Sequence, residues 1–226
     1  MSLFSTLLSN GGYACYCLGR VYNDRKEWSN NLTDNLEQLN IYRADNRMDW
    51  NNYLSVSTFR RCSRRCESNV KEVKRLYVDM DAHDNPINFN EAKLLADYML
   101  DNWFDGEELP EPNYIIFSGR GLQVLFTLNG CENVPEWKQY QTALLKTCQT
   151  LLEQLKHHSL SEAGDVALEH NVEIDVLKDA ARVMRVPDTT NLKQNVDAKL
   201  LYSDEEHEYT SVSYTHLRAH ETRHDL

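Results

Sequence analysis

The chain has 226 residues, 41% of them hydrophobic and 26% charged, with a formal net charge of −11. This is globular composition, and the length suits one large domain or two tight subdomains around a real core. No apolar run approaches the ~20 residues of a helical membrane span, and so acidic a chain is not one that coats nucleic acid indiscriminately.

The opening "MSLFSTLLSNGG" lacks the basic start and long apolar core of an export signal, so a cytoplasmic location is expected. Up to about residue 58, the aromatic stretch "YACYCLGRVY" and an Asn/Asp-rich segment from Trp28 to Asn52 lead into "NYLSVSTF". The order expected is strand, polar loop or helix, then strand. Cys15, Cys17, Cys62, Cys66, Cys131 and Cys148 are expected to be reduced thiols in a chain without export features. Cys62 and Cys66 flank "SRR" as half a zinc site would, but no second pair with that spacing follows.

"FRRCSRRCESNVKEVKR", residues 59–75, carries Arg60, Arg61, Arg64, Arg65, Lys71, Lys74 and Arg75 against only Glu67 and Glu72. A charge run is ordinarily a solvated face. Here it leads directly into "YVDMDAH", and Arg60, Arg61, Arg64 and Arg65 are the candidate contacts to a polyanion. A strand from about 75 to 81 places Asp79 and Asp81 on one face about 6.6 Å apart. Beside Leu76, Tyr77, Val78 and Met80, two like charges repel unless something neutralises them. A solvated edge strand satisfies them with water; a divalent cation satisfies them with hard carboxylate ligands, which suit magnesium or manganese.

"NFNEAKLLADYMLDNWF" has a helical stripe of Leu94, Leu95, Tyr98, Met99 and Trp103, with Asn90 as its expected N-cap. An acidic, proline-containing loop then reaches the strand "YIIFS", the tight turn "GRG" and a second strand "LQVLFTL". So short a link makes the pair antiparallel. Gly119 and Gly121 free the backbone to approach an anion, and Ser118, Arg120 and Gln123 add a hydroxyl, a cation and an amide. A glycine hairpin with no ligand is the alternative. The longest helix is "VPEWKQYQTALLKTCQTLLEQLKHH", with Trp137, Tyr140, Leu144, Leu145, Cys148, Leu151, Leu152 and Leu155 on its apolar stripe.

"VEIDVLKDAARVMRVPDTTNLK" follows, with Asp175 and Asp179 as further carboxylates and Arg182, Arg185 and Lys193 as cations. Ion pairing of the arginines with Asp179 and Glu173 is the ordinary reading; bidentate phosphate contact is the other. Carboxylates on a strand, a glycine turn, another carboxylate and Arg-x-x-Arg together make a phosphoryl-transfer inventory. Strands and helices interleave with an antiparallel pair, so the class is α+β.

In order and spacing, "YVDMD", "SGRGLQ", "EID" and "RVMRVPDTTNLK" resemble the archaeo-eukaryotic primase superfamily, and in particular the replication primases of plasmids, phages and other bacterial mobile elements. The resemblance covers residues from about 50 to 195. It implies a primase-polymerase catalytic core with an RNA-recognition-motif-like antiparallel sheet packed with an N-terminal α/β unit. It further implies two divalent ions (magnesium or manganese) on Asp79, Asp81 and Asp175, with Asp179 an open alternative for the third carboxylate. Ser118, Gly119, Arg120, Gly121, Gln123, Arg182, Arg185 and Lys193 match nucleotide-binding positions. The implied partners are nucleoside triphosphates, a single-stranded DNA template and, in some members, a helicase, with no membrane. Gln123 stands where many members have histidine, and Asp188 replaces the usual glycine after Pro187.

The expected organisation is a catalytic domain over 1–211, with an N-terminal unit to about 70 and the catalytic part over about 71–211. "VSYTHLRAHETRHDL", 212–226, resembles translated sequencing-adapter read-through and is expected not to be native. Two rival functions remain. A nucleotide-sugar glycosyltransferase explains Asp-x-Asp but leaves "SGRGLQ" and "RVMRVP" idle. A replication initiator without activity leaves the aspartates idle.

Overall fold

The computed structural model describes residues 3–8, 10–22, 25–44, 49–104, 109–158, 160–205 and 208–210. The tail expected to be foreign lies outside them. The chain runs α1 (Ser5–Leu8), β1 (Ala14–Tyr22), β2 (Arg25–Thr33), α2 (Leu36–Ala44), β3 (Asn51–Ser55), β4 (Ser57–Phe59) and β5 (Val70–Asp81). It continues as α3 (Phe89–Asn102), β6 (Tyr114–Phe117), β7 (Gly121–Cys131), α4 (Val134–His158) and α5 (Glu162–Glu169). The short strands β8 (Glu173–Ile174), β9 (Val183–Arg185), β10 (Thr190–Asn191) and β11 (Val196–Asp197) precede β12 (Lys199–Ser203).

Two main sheets form. The first has the order β2-β1-β3-β9; the second has the order β12-β6-β7-β5-β4, with β8 also paired to β5. Among the described residues, every strand pair within them is antiparallel. Within the second sheet, β5-α3-β6-β7-α4-β8 follows a βαββαβ course with spatial order β8-β5-β7-β6, the arrangement of an RNA-recognition-motif-like sheet. The division expected near residue 70 is bridged twice: β4 belongs to the second sheet, and β9 completes the first.

Burial explains the elements. Leu76, Val78 and Met80 of β5 and Leu122, Val124 and Phe126 of β7 are buried in a core shared with Leu95 and Met99 of α3 and Trp137, Leu144 and Cys148 of α4. A smaller core of Phe4, Leu7, Leu39, Tyr16, Leu18 and Leu54 sits between α1, α2 and one face of the first sheet. That sheet's other face is left for a cleft.

Three local expectations change. The polar segment after Trp28 is strand rather than loop at its start, because Arg25–Thr33 pairs residue for residue with β1. Asn88, not Asn90, caps α3: its Oδ1 accepts from the Asn90 and Glu91 amides while Glu91 accepts from the Asn88 amide, a complete capping box. Lys74 and Arg75, read as part of an exposed basic run, are 1% exposed inside β5. Burial pulls the Arg75 guanidinium down to about 10, and it donates to Thr6 Oγ1 at 3.4 Å and to the Leu3 carbonyl.

One edge of β5 is open between β4 and β8, and α4 closes it with side chains. Gln141 donates to the Tyr77 carbonyl at 2.6 Å and accepts from the Tyr77 amide at 3.2 Å, while Trp137 Nε1 donates to the Arg75 carbonyl at 3.1 Å. Gln141→Leu should therefore destabilise the fold by about 2 kcal/mol, since two buried backbone groups lose their partners. Chemical denaturation checks this; an unchanged midpoint and slope would contradict it.

Candidate active site

The register of β5 on β7 sets Asp79 opposite Gln123 and Asp81 opposite Gly121. Asp79 is 7% exposed; it accepts from Gln123 Nε2 at 3.3 Å and from Arg182 Nη2 at 2.8 Å. The same Arg182 nitrogen lies 2.8 Å from Asp175 Oδ2. Asp175 is brought there by β8 pairing and by its own amide donating to the Asp79 carbonyl at 2.9 Å. Burial, and then the neighbouring Asp81, push the Asp79 carboxyl up against the opposing pull of Arg182 and Gln123. Burial works against the Arg182 charge, but Asp79 and Asp175 outweigh it and its pKa rises.

Asp179 has a different task. Its Oδ1 accepts from the Ala181 amide at 2.8 Å and closes the turn before Arg182. The pairing expected of the arginines with Asp179 and Glu173 is thus corrected for Arg182: its partners are Asp79 and Asp175.

The "SGRG" turn stands over Asp81. Arg120 grips both Asp81 oxygens, with Nε at 3.0 Å, and this bond raises the arginine's pKa. Ser118 does not present a free hydroxyl: its Oγ accepts from the Gly121 amide and donates to the Gly121 carbonyl, both at 3.2 Å. Gly119 has φ +95°, and a Cβ there would lie 2.8 Å from the Asn191 Cβ. Gly121 needs its hydrogen for another reason, since a Cβ would sit 1.9 Å from the Met80 carbonyl oxygen.

Arg185, from β9, is 8% exposed and bonded to neutral groups, Asn51 Oδ1 at 3.0 Å and Tyr53 Oη at 3.2 Å. Burial lowers its pKa, with Tyr53 and Asp79 opposing. Gln123 joins the two halves of the site, donating to Asp79 and accepting from the Arg185 amide at 2.9 Å. Asp188 keeps the backbone a glycine would adopt, with φ +62°, and pairs with Arg43 at 2.9 Å. Asn191 donates to the Ser118 carbonyl at 2.9 Å, tying the turn to the segment that ends in exposed Lys193.

Asp79, Asp81, Ser118, Arg120, Gln123, Arg185 and Lys193 all line one cleft of about 570 Å³ between the two sheets. Its other wall, missed in the sequence, is the free face of the first sheet: Gly19, Val21, Lys26, Trp28, Asn51 and Tyr53. Alternation in "YACYCLGRVY" hints at that face, but only the cross-strand register reveals its neighbours.

The AEP (primase) domain of a primase-polymerase from cyanophage S-2L superimposes with a TM-score of 0.59, covering 95% of this chain and 94% of that one at 14% identity. The chain has the archaeo-eukaryotic primase-polymerase fold. The catalytic domain of primase RepB′, solved with initiator DNA, aligns with a TM-score of 0.47 at 10% identity over 98% of this chain and 95% of that one. A replication protein of Clostridium perfringens is 31% identical over 163 residues, 71% of this chain, and the chain spans 33% of that protein's length. No family model matches the chain.

On this primase fold, the donor set suits a hard divalent ion: three carboxylates near one another, with Asp79 buried and already engaged by a cation. The three do not converge as one ready cage. Among the described residues no three His, Cys, Asp or Glu side chains are placed to share an ion. Arg182 stands between Asp79 and Asp175, and Arg120 holds Asp81. The residues fit a metal on the condition that these arginines release them.

The basic run divides. Arg60, Arg61 and Arg64 are exposed, with Arg60 Nε donating to the Val70 carbonyl at 2.9 Å. Arg65 is turned inward, donating to the Ala181 carbonyl and, at 3.3 Å, to Asn30 Oδ1. It braces the segment that delivers Arg182. All six cysteines are free thiols.

Proposed function

We propose that the chain is the catalytic domain of a DNA primase or primase-polymerase, joining nucleoside triphosphates on single-stranded DNA in mobile-element replication. The observation that carries this reading is the pairing, in one cleft, of carboxylates Asp79 and Asp81 with a buried arginine, Arg185, whose guanidinium among the described residues bonds neutral Asn51 and Tyr53. A buried cation with neutral partners is an anion receptor.

Asp79, Asp81 and Asp175 are the residues that would hold two divalent ions, magnesium or manganese. Such ions lower the pKa of an attacking 3′-hydroxyl and offset charge developing at the α-phosphate. Arg185 and Lys193 hold the triphosphate. Arg120 and Arg182 neutralise the carboxylates and, were divalent ions held there instead, would be free to meet phosphate oxygens. Gln123 fixes the separation between Asp79 and the Arg185 backbone, so the reacting groups meet in one geometry. The DNA template, the triphosphates and a helicase partner all belong to this proposal.

Incubation with single-stranded DNA, magnesium or manganese and labelled triphosphates tests it. Template-dependent products on a sizing gel are expected. DNA binding without synthesis would point to an initiator module, and transfer from a nucleotide sugar to a glycosyltransferase.

Template contact is assigned to the exposed arginines. Arg61→Glu with Arg64→Glu should weaken DNA binding and lower the salt slope by about one unit per lost phosphate contact. Equal slopes for parent and variant in salt-titrated binding would remove Arg61 and Arg64 from the interface.

A further inference from the structure

Trp28 is 49% exposed, whereas Trp103 and Trp137 are 2% and 0% exposed within the core. It sits on β2 directly opposite Gly19 of β1. A Cβ on Gly19 would lie 2.9 Å from the indole carbon Cζ3 and 3.1 Å from Cε3 and Cη2. The six-membered ring of the indole therefore lies across the strand, over the one position that has no side chain. Tyr53, in the adjoining row on β3, has its ring centroid 5.5 Å from that of Trp28 at 39°. Both rings line the cleft that holds Asp79, Asp81, Arg120 and Arg185.

An apolar ring kept half in water on the wall of a charged cleft is not explained by core packing. Its neighbours on that wall give it a use. Val21 pairs with Lys26 one row further out; both line the cleft, and Val21 is 69% exposed. Aromatic faces interleaved with cations are how proteins hold nucleobases while following a phosphate backbone, because every base offers a π-face.

We infer that Trp28 is a stacking platform for a nucleobase, with Tyr53 as its inner support and Gly19 as the gap that lets the indole lie flat. This rests on the reading of the cleft as a nucleotidyl-transfer site and adds the residue that receives a base there. The base comes from a single strand or from a free nucleotide.

Gly19 gives the test its sharpness. Its backbone does not have a positive φ, and the three atoms nearest an added Cβ all belong to the Trp28 ring. Gly19→Ala should therefore move the ring without disturbing the strand. The full chain is titrated with a short single-stranded oligonucleotide and, separately, with a nucleoside triphosphate, following binding and tryptophan fluorescence. The parent should be quenched on binding. Trp28→Leu and Gly19→Ala should bind about tenfold more weakly in one arm, and that arm names the source of the base. Trp28→Phe should keep most of the affinity and lose most of the quenching. Thermal unfolding of each variant should match the parent, which separates loss of the platform from loss of fold; a variant that unfolds is read through Trp28→Phe instead. Parent-like affinity of Trp28→Leu in both arms would overturn the platform and leave the nucleotidyl-transfer reading standing. Absence of binding by the parent in both arms would overturn both.

Discussion

Asp79→Asn is expected to cut nucleotide incorporation at least about 100-fold while leaving the metal-free protein no less stable than the parent. The two halves of this result have different causes. Asp79 is buried next to Asp81, and those two effects raise its carboxyl pKa despite Arg182 and Gln123. A carboxyl raised on folding contributes stability below its unfolded pKa and loses it as pH rises through the folded value. Wherever Asp79 is ionised its charge therefore costs stability, which the neutral amide avoids. Arg182 keeps Asp175, and Gln123 still finds an acceptor in the new amide. The stability difference should shrink as pH falls and Asp79 takes up its proton in the parent. Incorporation assays alongside melting curves across acidic and neutral pH check both halves. A variant less stable than the parent would contradict the stability half, and a folded one that incorporates at the parent rate would remove Asp79 from the proposed chemistry. Asp179→Asn should be milder, because Asp179 closes the Ala181 turn and does not bond Arg182 through its carboxylate.

What was legible in the sequence is what local pattern controls. The strand pair "YIIFS" and "LQVLFTL" around "GRG" is set by apolar alternation and two glycines, and it forms β6 and β7 as expected. The stripe of α4 is set by a 3.6-residue period, and Trp137, Leu144, Cys148 and Leu155 are buried along it. Asp79 and Asp81 share a face because a strand alternates. What escaped depends on register between distant segments. Tyr53 and Arg185 are 132 residues apart and meet only because β9 joins the first sheet. Gln141 reads as a polar position on an amphipathic helix, and nothing nearby in sequence shows the strand edge that it completes. Arg65 looks like its exposed neighbours Arg61 and Arg64, yet the Ala181 carbonyl lies beneath it. Charge runs announce a basic segment; they do not say which members turn inward.

Arg182 carries the second large effect. It is the cation that makes the buried Asp79 tolerable and holds Asp175 against it, each at 2.8 Å. Arg182→Gln should destabilise the metal-free protein by about 2 kcal/mol at neutral pH, a value set below that of a fully buried pair because the arginine is partly exposed. Without the guanidinium, the Asp79 carboxyl rises further. By the same linkage, the deficit should be full where Asp79 is ionised and vanish as acid protonates it. Manganese or magnesium should restore more stability to the variant than to the parent, because in the parent the ion must first displace Arg182 from Asp79 and Asp175. Melting curves with and without metal, at acidic and neutral pH, read out all three effects without any turnover. A metal-induced shift no larger than the parent's would show that Arg182 and the ion do not compete. The carboxylates would then have to bind metal, if they bind it, with the arginine still in place.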